Sequence, residues 1–257
     1  MKVLGIIPAR YGSSRLEGKP LLDIGGKSMI RRVYERASQA QGLTKLIVAT
    51  DHQNIYDECK KFSIPVMMTA TSHINGTERC GEVISKLKES YDIIVNIQGD
   101  EPFIHSASID ELIMVFQKNN SASIGTLVIK METIANDVKS YFFNPSIIKV
   151  VTDDKNKALY FSRSPIPFIR DKETMNKNEK FSFKKHIGMY GFRREVLEKI
   201  IHLKESYLES QEKLEQLRWL ENGYAIYIAE TEYESKSIDT QEDYEYVLNN
   251  LYHYIDE

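Results

Sequence analysis

The 257-residue chain has little cysteine, no long apolar run and no excess of positive charge. Its two cysteines, Cys59 and Cys80, lack CxxC spacing and cannot form a disulfide framework, so we expect two buried thiols in a reducing compartment. The net charge of −3 argues against nucleic acid as a partner. The apolar stretch 3–8 is too short to span a membrane and no signal-peptide pattern follows it, which favours a cytoplasmic protein without a membrane partner.

Short apolar runs alternate with amphipathic segments through the first half of the chain. The apolar runs predict strands at residues 3–7, 46–49, 65–68 and 93–97. The amphipathic segments predict helices at residues 28–41, 53–62, 77–90 and 106–117. Such alternation is typical of an α/β fold in which helices flank a mostly parallel sheet. Ligands of these folds bind beyond the carboxyl ends of the strands.

The pattern becomes mixed after about residue 127. The sequence predicts a hairpin of strands 147–152 and 158–162, a loop at 171–180 that we expect to be mobile, a strand at 186–192, helices from 193 and over 211–221, a strand at 225–229 and a C-terminal helix. No linker separates these segments from the first half. We therefore predict one domain, residues 1–257, with a smaller mixed-strand lobe in its second half.

A cationic, glycine-containing loop follows the first predicted strand. It contains Arg10, Gly12, Ser13, Ser14, Arg15, Gly18 and Lys19. Main-chain amides of small residues and nearby cations form a surface suited to a polyphosphate. The loop is not a Walker A motif, because five residues separate its glycines and Pro20 follows the lysine, and GxGxxG is absent. Taken alone, the loop is about equally consistent with structural ion pairs on a solvated surface.

The segment QGDEP, residues 98–102, follows the apolar run DIIVNI. A carboxylate there is well placed to hold Mg²⁺, which prefers one or two carboxylates together with phosphate oxygens of a substrate. The amide of Gln98 can donate and accept hydrogen bonds at the edge of a base. An aspartate in a simple turn is the alternative for this segment alone. The two motifs together favour a metal-dependent nucleotide enzyme.

A series of sequence blocks in a fixed order resembles the sugar-acid cytidylyltransferases. The blocks are IIPARYGSSRLEGKPL (6–21), VATD (48–51), NGTER (75–79), VNIQGDEP (95–102), FNPSIIKVV (143–151), ALYFSRSPIPF (158–168), HIGMYGFR (186–193), LEQLRWLENG (214–223) and SIDTQEDY (237–244). The resemblance is strongest to the members that use 3-deoxy-manno-octulosonate (Kdo). It spans nearly the whole chain.

The resemblance implies a nucleotidyltransferase fold with a Rossmann-like sheet, usually in a homodimer. It implies transfer of CMP from CTP to the anomeric hydroxyl of Kdo, with loss of pyrophosphate, for lipopolysaccharide biosynthesis. Mg²⁺ is the implied cofactor. Residues from 1 to about 127 would bind the nucleotide, and residues from about 128 to 257 would bind the sugar acid and form the dimer. An alternative stays open, because one or two residues can change the accepted sugar to 8-amino-Kdo or a sialic-acid-like acid.

The resemblance also assigns roles to individual residues. The CTP-binding residues would be Arg10, Ser13, Arg15, Lys19 and Gln98. Arg15, Lys19 and Asp100 would be catalytic, with Asp100 and Asp239 holding the metal. The sugar-acid-binding residues would be Arg79, Arg163, His186, Tyr190, Glu215 and Gln216.

Several of these residues also have a structural interpretation. Arg163 could pair with a carboxylate, and Asp239 could cap the helix that follows it. His186 could be a satisfied, half-buried histidine. The chain departs from the family pattern at Glu17 and Ser28, which replace prolines, and at Ser210–Gln211, where a histidine-containing pair is usual. The negative charge of Glu17 within the phosphate loop has no explanation in the sequence.

Overall fold

The computed structural model describes residues 1–12, 16–134, 141–170 and 180–255. The described strands are β1 (Val3–Ala9), β2 (Lys45–Thr50), β3 (Val66–Met68), β4 (Ile93–Asn96), β5 (Ile124–Ile134), β6 (Lys149–Thr152), β7 (Ala158–Ser162), β8 (Lys180–Arg193) and β9 (Ile226–Glu230). The described α-helices are α1 (Met29–Ala37), α2 (Gln53–Lys61), α3 (Gly76–Lys86), α4 (Ser106–Lys118), α5 (Arg194–Ile200), α6 (Tyr207–Glu212), α7 (Gln216–Glu221), α8 (Gln241–Asn249) and α9 (Tyr252–Ile255).

One sheet runs through the described part of the chain, in the order β3-β2-β1-β4-β8-β5-β9. Strand β8 is antiparallel to both β4 and β5, whereas β1 is parallel to β2 and β4, and β5 is parallel to β9. The β6–β7 hairpin lies off this path and pairs with β8. The prediction of a mostly parallel α/β sheet is therefore confirmed, and so is the predicted hairpin.

Alternate side chains of the strands enter two apolar layers, one on each face of the sheet. In β1, Val3 and Ile7 point into the layer that α1, α2 and α4 cover, while Leu4 and Ile6 point into the layer that α3, α5 and α7 cover. All four are nearly inaccessible to solvent. This two-sided burial explains why the strands are almost continuously apolar. Both cysteines lie in these layers and are buried, as expected.

Two features of the second half differ from the sequence prediction. Strand β5 was not predicted. Its apolar run begins soon after α4, and no predicted helix follows it to mark where a strand would end. The single helix predicted over 211–221 is wrong. It is two helices, α6 and α7, because Lys213 adopts a left-handed conformation with φ of 52° that ends α6.

The C-terminal helix brings a distant part of the sequence to the carboxyl ends of the strands. Val247 of α8 and Ile238 pack on Ile24 and Met29 of the N-terminal region. The main-chain N–H of Ile238 donates to the carbonyl of Asp100 at 3.0 Å. The segment that contains Asp239 is thereby attached to the loop that follows β4. No helix in the described residues is long and apolar enough to cross a membrane.

Candidate active site

A cavity of about 560 Å³ opens where β1 and β4 end. The loops after both strands line it, and α3, β8 and the turn between α6 and α7 complete its walls. Ten residues that the sequence analysis assigned to a site lie in this lining: Arg10, Lys19, Arg79, Gln98, Asp100, His186, Tyr190, Glu215, Gln216 and Asp239. Residues that are far apart in the sequence thus meet in one cavity, as the sheet topology predicts.

Lys19 lies between the two aspartates that were predicted to hold a metal. Its Nζ is 2.8 Å from Oδ2 of Asp100 and 3.1 Å from Oδ1 of Asp239. Gly18, with φ of 66°, allows the chain to turn there, and its N–H donates to the carbonyl of Tyr11 at 3.0 Å. The left-handed turn therefore directs the lysine ammonium towards both carboxylates.

Gly99 brings Asp100 close to the end of β1. A Cβ atom at position 99 would lie 2.6 Å from the carbonyl oxygen of Pro8, which is main chain and cannot move aside easily. Glycine is therefore required for the loop after β4 to approach β1 this closely. This close approach places the carboxylate of Asp100 beside Lys19.

The aspartate pair suits a cation that also takes ligands from its substrate. Within residues 1–12, 16–134, 141–170 and 180–255, no group of three or more His, Cys, Asp or Glu side chains is arranged to hold a metal ion. Two carboxylates, those of Asp100 and Asp239, match the incomplete ligand set of Mg²⁺ sites in which phosphate oxygens and water fill the other positions. The donor set therefore fits Mg²⁺ when it arrives with a polyphosphate.

The second acid of QGDEP, Glu101, has a raised pKa. Burial, and then repulsion by the charge of Asp100, raise the pKa of Glu101 to about 8. Glu101 is therefore mostly protonated at neutral pH. The charge contributed by this segment at pH 7 comes mainly from Asp100.

A β-bulge in β8 contacts the loop after β4. Thr126 of β5 is opposite Tyr190 and Leu127 is opposite Ile187, so Gly188 and Met189 bulge out of the register. The bulge exposes the carbonyl of Gly188, which accepts a hydrogen bond from Nε2 of Gln98 at 2.8 Å. This contact fixes the orientation of the Gln98 amide at the cavity wall.

His186 and Tyr190 flank the bulge and face the cavity. Burial lowers the pKa of His186 to about 3, so the imidazole is neutral at physiological pH. Nε2 of His186 is 3.0 Å from Oγ1 of the fully buried Thr126. Burial, and then the charge of Glu215, hold the pKa of Tyr190 well above its usual range, so its phenol is also neutral. This wall of the cavity is therefore polar but uncharged.

Glu215 lies at the start of α7 and bonds to α3. Oγ1 of Thr77 donates to its Oε2 at 3.0 Å. Burial raises the pKa of Glu215 to about 7. The turn that contains Glu215 is held by a buried ion pair, in which Nε and Nη2 of Arg218 donate to the two carboxylate oxygens of Glu209 at 2.7 and 2.6 Å. A bidentate pair of this kind fixes α6 against α7.

Comparison with known proteins identifies the family. The family described as Cytidylyltransferase matches residues 4–237. A protein of Parabacteroides distasonis named 3-deoxy-manno-octulosonate cytidylyltransferase is 49% identical over 248 residues, which cover 96% of this chain and 97% of that protein. The chain belongs to the cytidylyltransferase family. The resemblance seen in the sequence blocks is thereby confirmed.

Further similarities extend over the full length of this cytidylyltransferase. A protein of Geotalea uraniireducens with the same name is 46% identical over 256 residues, covering 98% of this chain and 99% of that protein. A solved structure of CMP:2-keto-3-deoxy-manno-octonic acid synthetase complexed with CTP is 38% identical, covers 98% of this chain and 99% of its own, and has a TM-score of 0.88. The predicted nucleotidyltransferase fold is confirmed by this similarity.

Two predicted sugar-binding arginines of the cytidylyltransferase form bonds to other groups of the protein. Arg163 is absent from the cavity lining, and its guanidinium donates to the carbonyls of Glu212 at 2.7 Å and Pro145 at 3.1 Å. Arg79 is in the lining but is 2% exposed, with Nη2 2.8 Å from Oδ2 of Asp51. The structure places Arg163 outside the cavity lining, where it supports the turn before Glu215, and its role at the sugar acid stays a prediction.

Three buried polar groups in the lining have no hydrogen-bond partner among the described residues. They are Oδ1 of Asn96, the phenol oxygen of Tyr190 and Nε2 of Gln216. Asn96 was missed by the sequence analysis, although a polar residue that ends an otherwise apolar run was a usable signal. Thr77 and Thr126 were missed as well, because a single threonine in a helix or strand gives no pattern. A substrate with several hydroxyl groups would supply the missing partners.

Other predictions lie outside the lining or outside the described residues. Ser13, Arg15 and nearly all of the predicted loop 171–180 belong to the latter group, so their roles stay predictions. Glu17 is exposed, and neither Ser210 nor Gln211 is in the cavity lining. The departure of Ser210–Gln211 from the family pattern therefore does not alter the described cavity wall directly.

Proposed function

We propose that this cytidylyltransferase transfers CMP from CTP to the anomeric hydroxyl of Kdo, giving CMP-Kdo and pyrophosphate. The observation that supports this most strongly is the full-length identity of 49% to a protein named for that activity. The cavity supports it as well, because cationic and anionic side chains at one end adjoin neutral polar groups at the other. A triphosphate and a polyhydroxylated acid need such a combination.

We call the part of the cavity around Lys19, Asp100 and Asp239 the nucleotide end. The anomeric oxygen of Kdo forms a bond to the α-phosphorus of CTP as its hydroxyl proton is released to water, and the bond from that phosphorus to the departing pyrophosphate breaks. Such a displacement needs alignment and neutralisation of negative charge more than a protein nucleophile. Lys19 is suited to the pyrophosphate, and Arg10 and the undescribed Arg15 and Ser13 are proposed to act with it.

Asp100 and Asp239 would hold Mg²⁺. When bound, this ion would neutralise phosphate oxygens and lower the energy of charge that accumulates during displacement. Lys19 neutralises the same two carboxylates in the structure. Its flexible side chain can turn towards the phosphates when the carboxylates acquire another cation. Gln98, oriented by Gly188, is proposed to read the cytosine.

We call the part of the cavity around Asn96, His186, Tyr190, Glu215 and Gln216 the sugar end. Its groups other than Glu215, whose pKa is about 7, are neutral. They are suited to hydroxyls, because their hydrogen bonds are directional. Arg79, which lies in the lining, is proposed to contribute to sugar-acid binding while its ion pair with Asp51 holds it in position. The nucleotide part, from residue 1 to about 127, and the sugar part, from about 128 to 257, both contribute to this one cavity in the proposal.

The biological setting is also a proposal. We infer a cytoplasmic homodimer whose product enters lipopolysaccharide biosynthesis. Large apolar side chains in the second half support an interface there, since Leu159 is 61% and Phe168 is 86% exposed. Light scattering of the purified protein at several concentrations tests the dimer, and a stable monomer would contradict it.

The activity is tested with purified protein, CTP, Mg²⁺ and a panel of sugar acids. We expect pyrophosphate release and a CMP-sugar mass with Kdo, at a higher kcat/KM than with 8-amino-Kdo or N-acetylneuraminate. Turnover of an amino analogue with no turnover of Kdo would overturn the assigned substrate. Binding of CTP without product formation from any acid would overturn the assigned reaction.

The role of Asp100 is tested by Asp100→Asn, with Asp154→Asn as a matched control on the exposed turn of the β6–β7 hairpin. We expect Asp100→Asn to lower kcat by about 10³-fold, in the range that removal of an electrostatic catalytic group produces. The melting temperature should stay close to that of the parent protein. Near-normal turnover of Asp100→Asn would contradict its assignment as a metal ligand.

A further inference from the structure

Thr126 forms hydrogen-bond contacts that determine the state of His186. Its side chain is fully buried, and Oγ1 lies 2.9 Å from the carbonyl oxygen of Met189 and 3.2 Å from that of Ile187. Nε2 of His186 lies 3.0 Å from the same Oγ1. Three groups thus lie within 3.2 Å of one hydroxyl, and the phenol of Tyr190 also interacts with it.

The chemistry of the three neighbours favours one arrangement of hydrogens. A hydroxyl has one hydrogen to donate, whereas its oxygen can accept two hydrogen bonds. The carbonyls of Ile187 and Met189 can only accept, which favours a Thr126 hydrogen that points towards them. A lone pair of Oγ1 then faces His186, and Nε2 is the donor. A hydroxyl that donated to Nε2 instead would contact both carbonyls with its oxygen alone, so the arrangement with hydrogen on Nε2 pairs more of the groups.

The position of this hydrogen fixes the other ring nitrogen. The imidazole of His186 is neutral because of burial, so it carries one hydrogen in total. With that hydrogen on Nε2, Nδ1 has a lone pair and acts only as an acceptor. Nδ1 has no hydrogen-bond partner among the described residues, and His186 lies in the cavity lining.

We propose that Thr126 is a positioning residue that holds His186 as the Nε2–H tautomer, so that Nδ1 accepts a hydrogen bond from a hydroxyl of the sugar acid. The proposal rests on the proposed function and specifies which chemical group of the sugar His186 recognises. A neutral ring that presents a lone pair repels a carboxylate and attracts O–H donors. His186 therefore reads a hydroxyl, and the carboxylate of the sugar acid binds elsewhere.

The tautomer is measured directly in the wild-type protein. In a sample labelled with ¹⁵N-histidine at pH 7.5, long-range ¹H–¹⁵N correlations distinguish the two neutral tautomers and the cation. The chain has six histidines, and the spectrum of His186→Gln identifies the relevant signals. We expect a single Nε2–H tautomer, and a change in the Nδ1 shift when Kdo is added without CTP. An Nδ1–H tautomer, a cation, or an Nδ1 shift that is unchanged at saturating Kdo would overturn the proposal.

Kinetics of Thr126 variants separate positioning from general stability. We expect Thr126→Val to raise the KM for the sugar acid about tenfold, the effect of one lost hydrogen bond, with less than about a threefold change in the KM for CTP. Thr126→Ser keeps the hydroxyl and should restore both the KM and the tautomer. Thr231→Val is the control, because Thr231 is a buried threonine outside the cavity lining.

The outcomes distinguish this proposal from the proposed function. An equal rise of both KM values in Thr126→Val, or no rescue by serine, would overturn the positioning role. If Thr126→Val does not fold, the wild-type spectrum and the serine variant still test whether Thr126 holds His186 as the Nε2–H tautomer. If Kdo is not turned over at all, the proposed function fails, while the Nε2–H tautomer is still measured in the unliganded protein.

Discussion

At the nucleotide end Lys19 and two aspartates are bonded to one another, whereas at the sugar end several buried polar atoms have no hydrogen-bond partner among the described residues. Lys19 contacts both Asp100 and Asp239 within 3.1 Å. By contrast, Oδ1 of Asn96 and Nε2 of Gln216 are buried without hydrogen bonds among the described residues. The same cavity therefore contains a neutralised charge cluster and a set of unsatisfied dipoles.

This difference teaches how each end selects its ligand. Charges that already pair with each other can exchange partners when a charged ligand arrives, so the nucleotide end depends on the balance of charge. Unsatisfied donors and acceptors cannot exchange in this way. They stabilise only a bound ligand whose hydroxyls match their positions. Binding at the sugar end therefore depends on geometry, and this end supplies specificity.

Among the changes that test this comparison, removal of the Lys19 charge should have the largest effect. We expect Lys19→Met to lower kcat/KM by about 10²–10³-fold, because a cation that stabilises the departing pyrophosphate is lost. The same change should tighten binding of Mn²⁺ to the protein without CTP, since the two carboxylates no longer have the ammonium as a partner. Electron paramagnetic resonance of free Mn²⁺ measures this second effect.

The matched control is Lys27→Met, which removes a more exposed lysine paired with Glu35. It should change neither turnover nor Mn²⁺ binding. Unchanged Mn²⁺ affinity in Lys19→Met would show that the ammonium and the divalent cation do not compete. The charged groups of the nucleotide end would then not exchange partners, and the comparison with the sugar end would fail.

Loss of Lys149 should weaken the support behind the sugar end. Its side chain is fully buried, and Nζ donates to the carbonyls of Asn144 at 3.0 Å, Ile147 at 2.6 Å and Arg163 at 2.6 Å. We expect Lys149→Met to lower the free energy of unfolding by about 2–4 kcal/mol, because buried carbonyls lose their donor. Urea denaturation measures it, with the exposed Lys155→Met as control. A loss equal to the control would contradict the supporting role.

Glu215→Gln should make stability less dependent on pH. The pKa of Glu215 is about 7 in the folded protein against an ordinary value of 4.5, so the folded state retains a proton that the unfolded chain has lost. The wild-type protein therefore loses stability as pH rises from 4.5 to 7, and no further above it. At pH 8 the glutamine variant should be more stable by about 1–3 kcal/mol, with the two proteins equal near pH 4.5.

The measurement is urea denaturation from pH 4.5 to 8. Glu221→Gln, an exposed glutamate at the end of α7, is the matched control and should show no such trend. A stability difference between wild type and Glu215→Gln that stays constant with pH would show that Glu215 is ionised throughout, and the sugar end would then carry a charge.

The exposed Glu17 should contribute least. We expect Glu17→Gln to lower the KM for CTP by less than about threefold, because the repulsion between an exposed carboxylate and phosphates is weak and screened by salt. The effect should disappear at high ionic strength. Steady-state kinetics at two salt concentrations checks it, and a larger change that persists in salt would mean that Glu17 contacts the nucleotide.

The sequence was sufficient to predict the sheet and most of the cavity, for physical reasons. Buried strands such as β1 and β4 are continuously apolar, and helices alternate with them, so their order predicted where Lys19 and Gln98 would meet. The left-handed turn at Lys213 was not predictable, because lysine gives no sign of such a conformation. The use of Arg163 to bond main-chain carbonyls was likewise not predictable, since its partners Pro145 and Glu212 lie 18 and 49 residues away in the sequence.

Roles that depend on one hydroxyl were also beyond sequence reasoning. Thr126 matters because a bulge brings two carbonyls of β8 towards it, and the register shift that forms this bulge has no local signal in β5. Only the three-dimensional arrangement brings the two carbonyls and the imidazole of His186 to its hydroxyl.

The position of β8 in the sheet has a consequence for biosynthesis. During translation β1 to β4 leave the ribosome well before β8, which is the neighbour of β4 in the finished sheet. Until residue Arg193 has emerged, β4 is an apolar edge strand with unpaired main-chain groups. A nascent chain arrested before that point therefore exposes a surface that other strands can join, and interrupted synthesis should yield aggregates, with no soluble nucleotide-binding fragment.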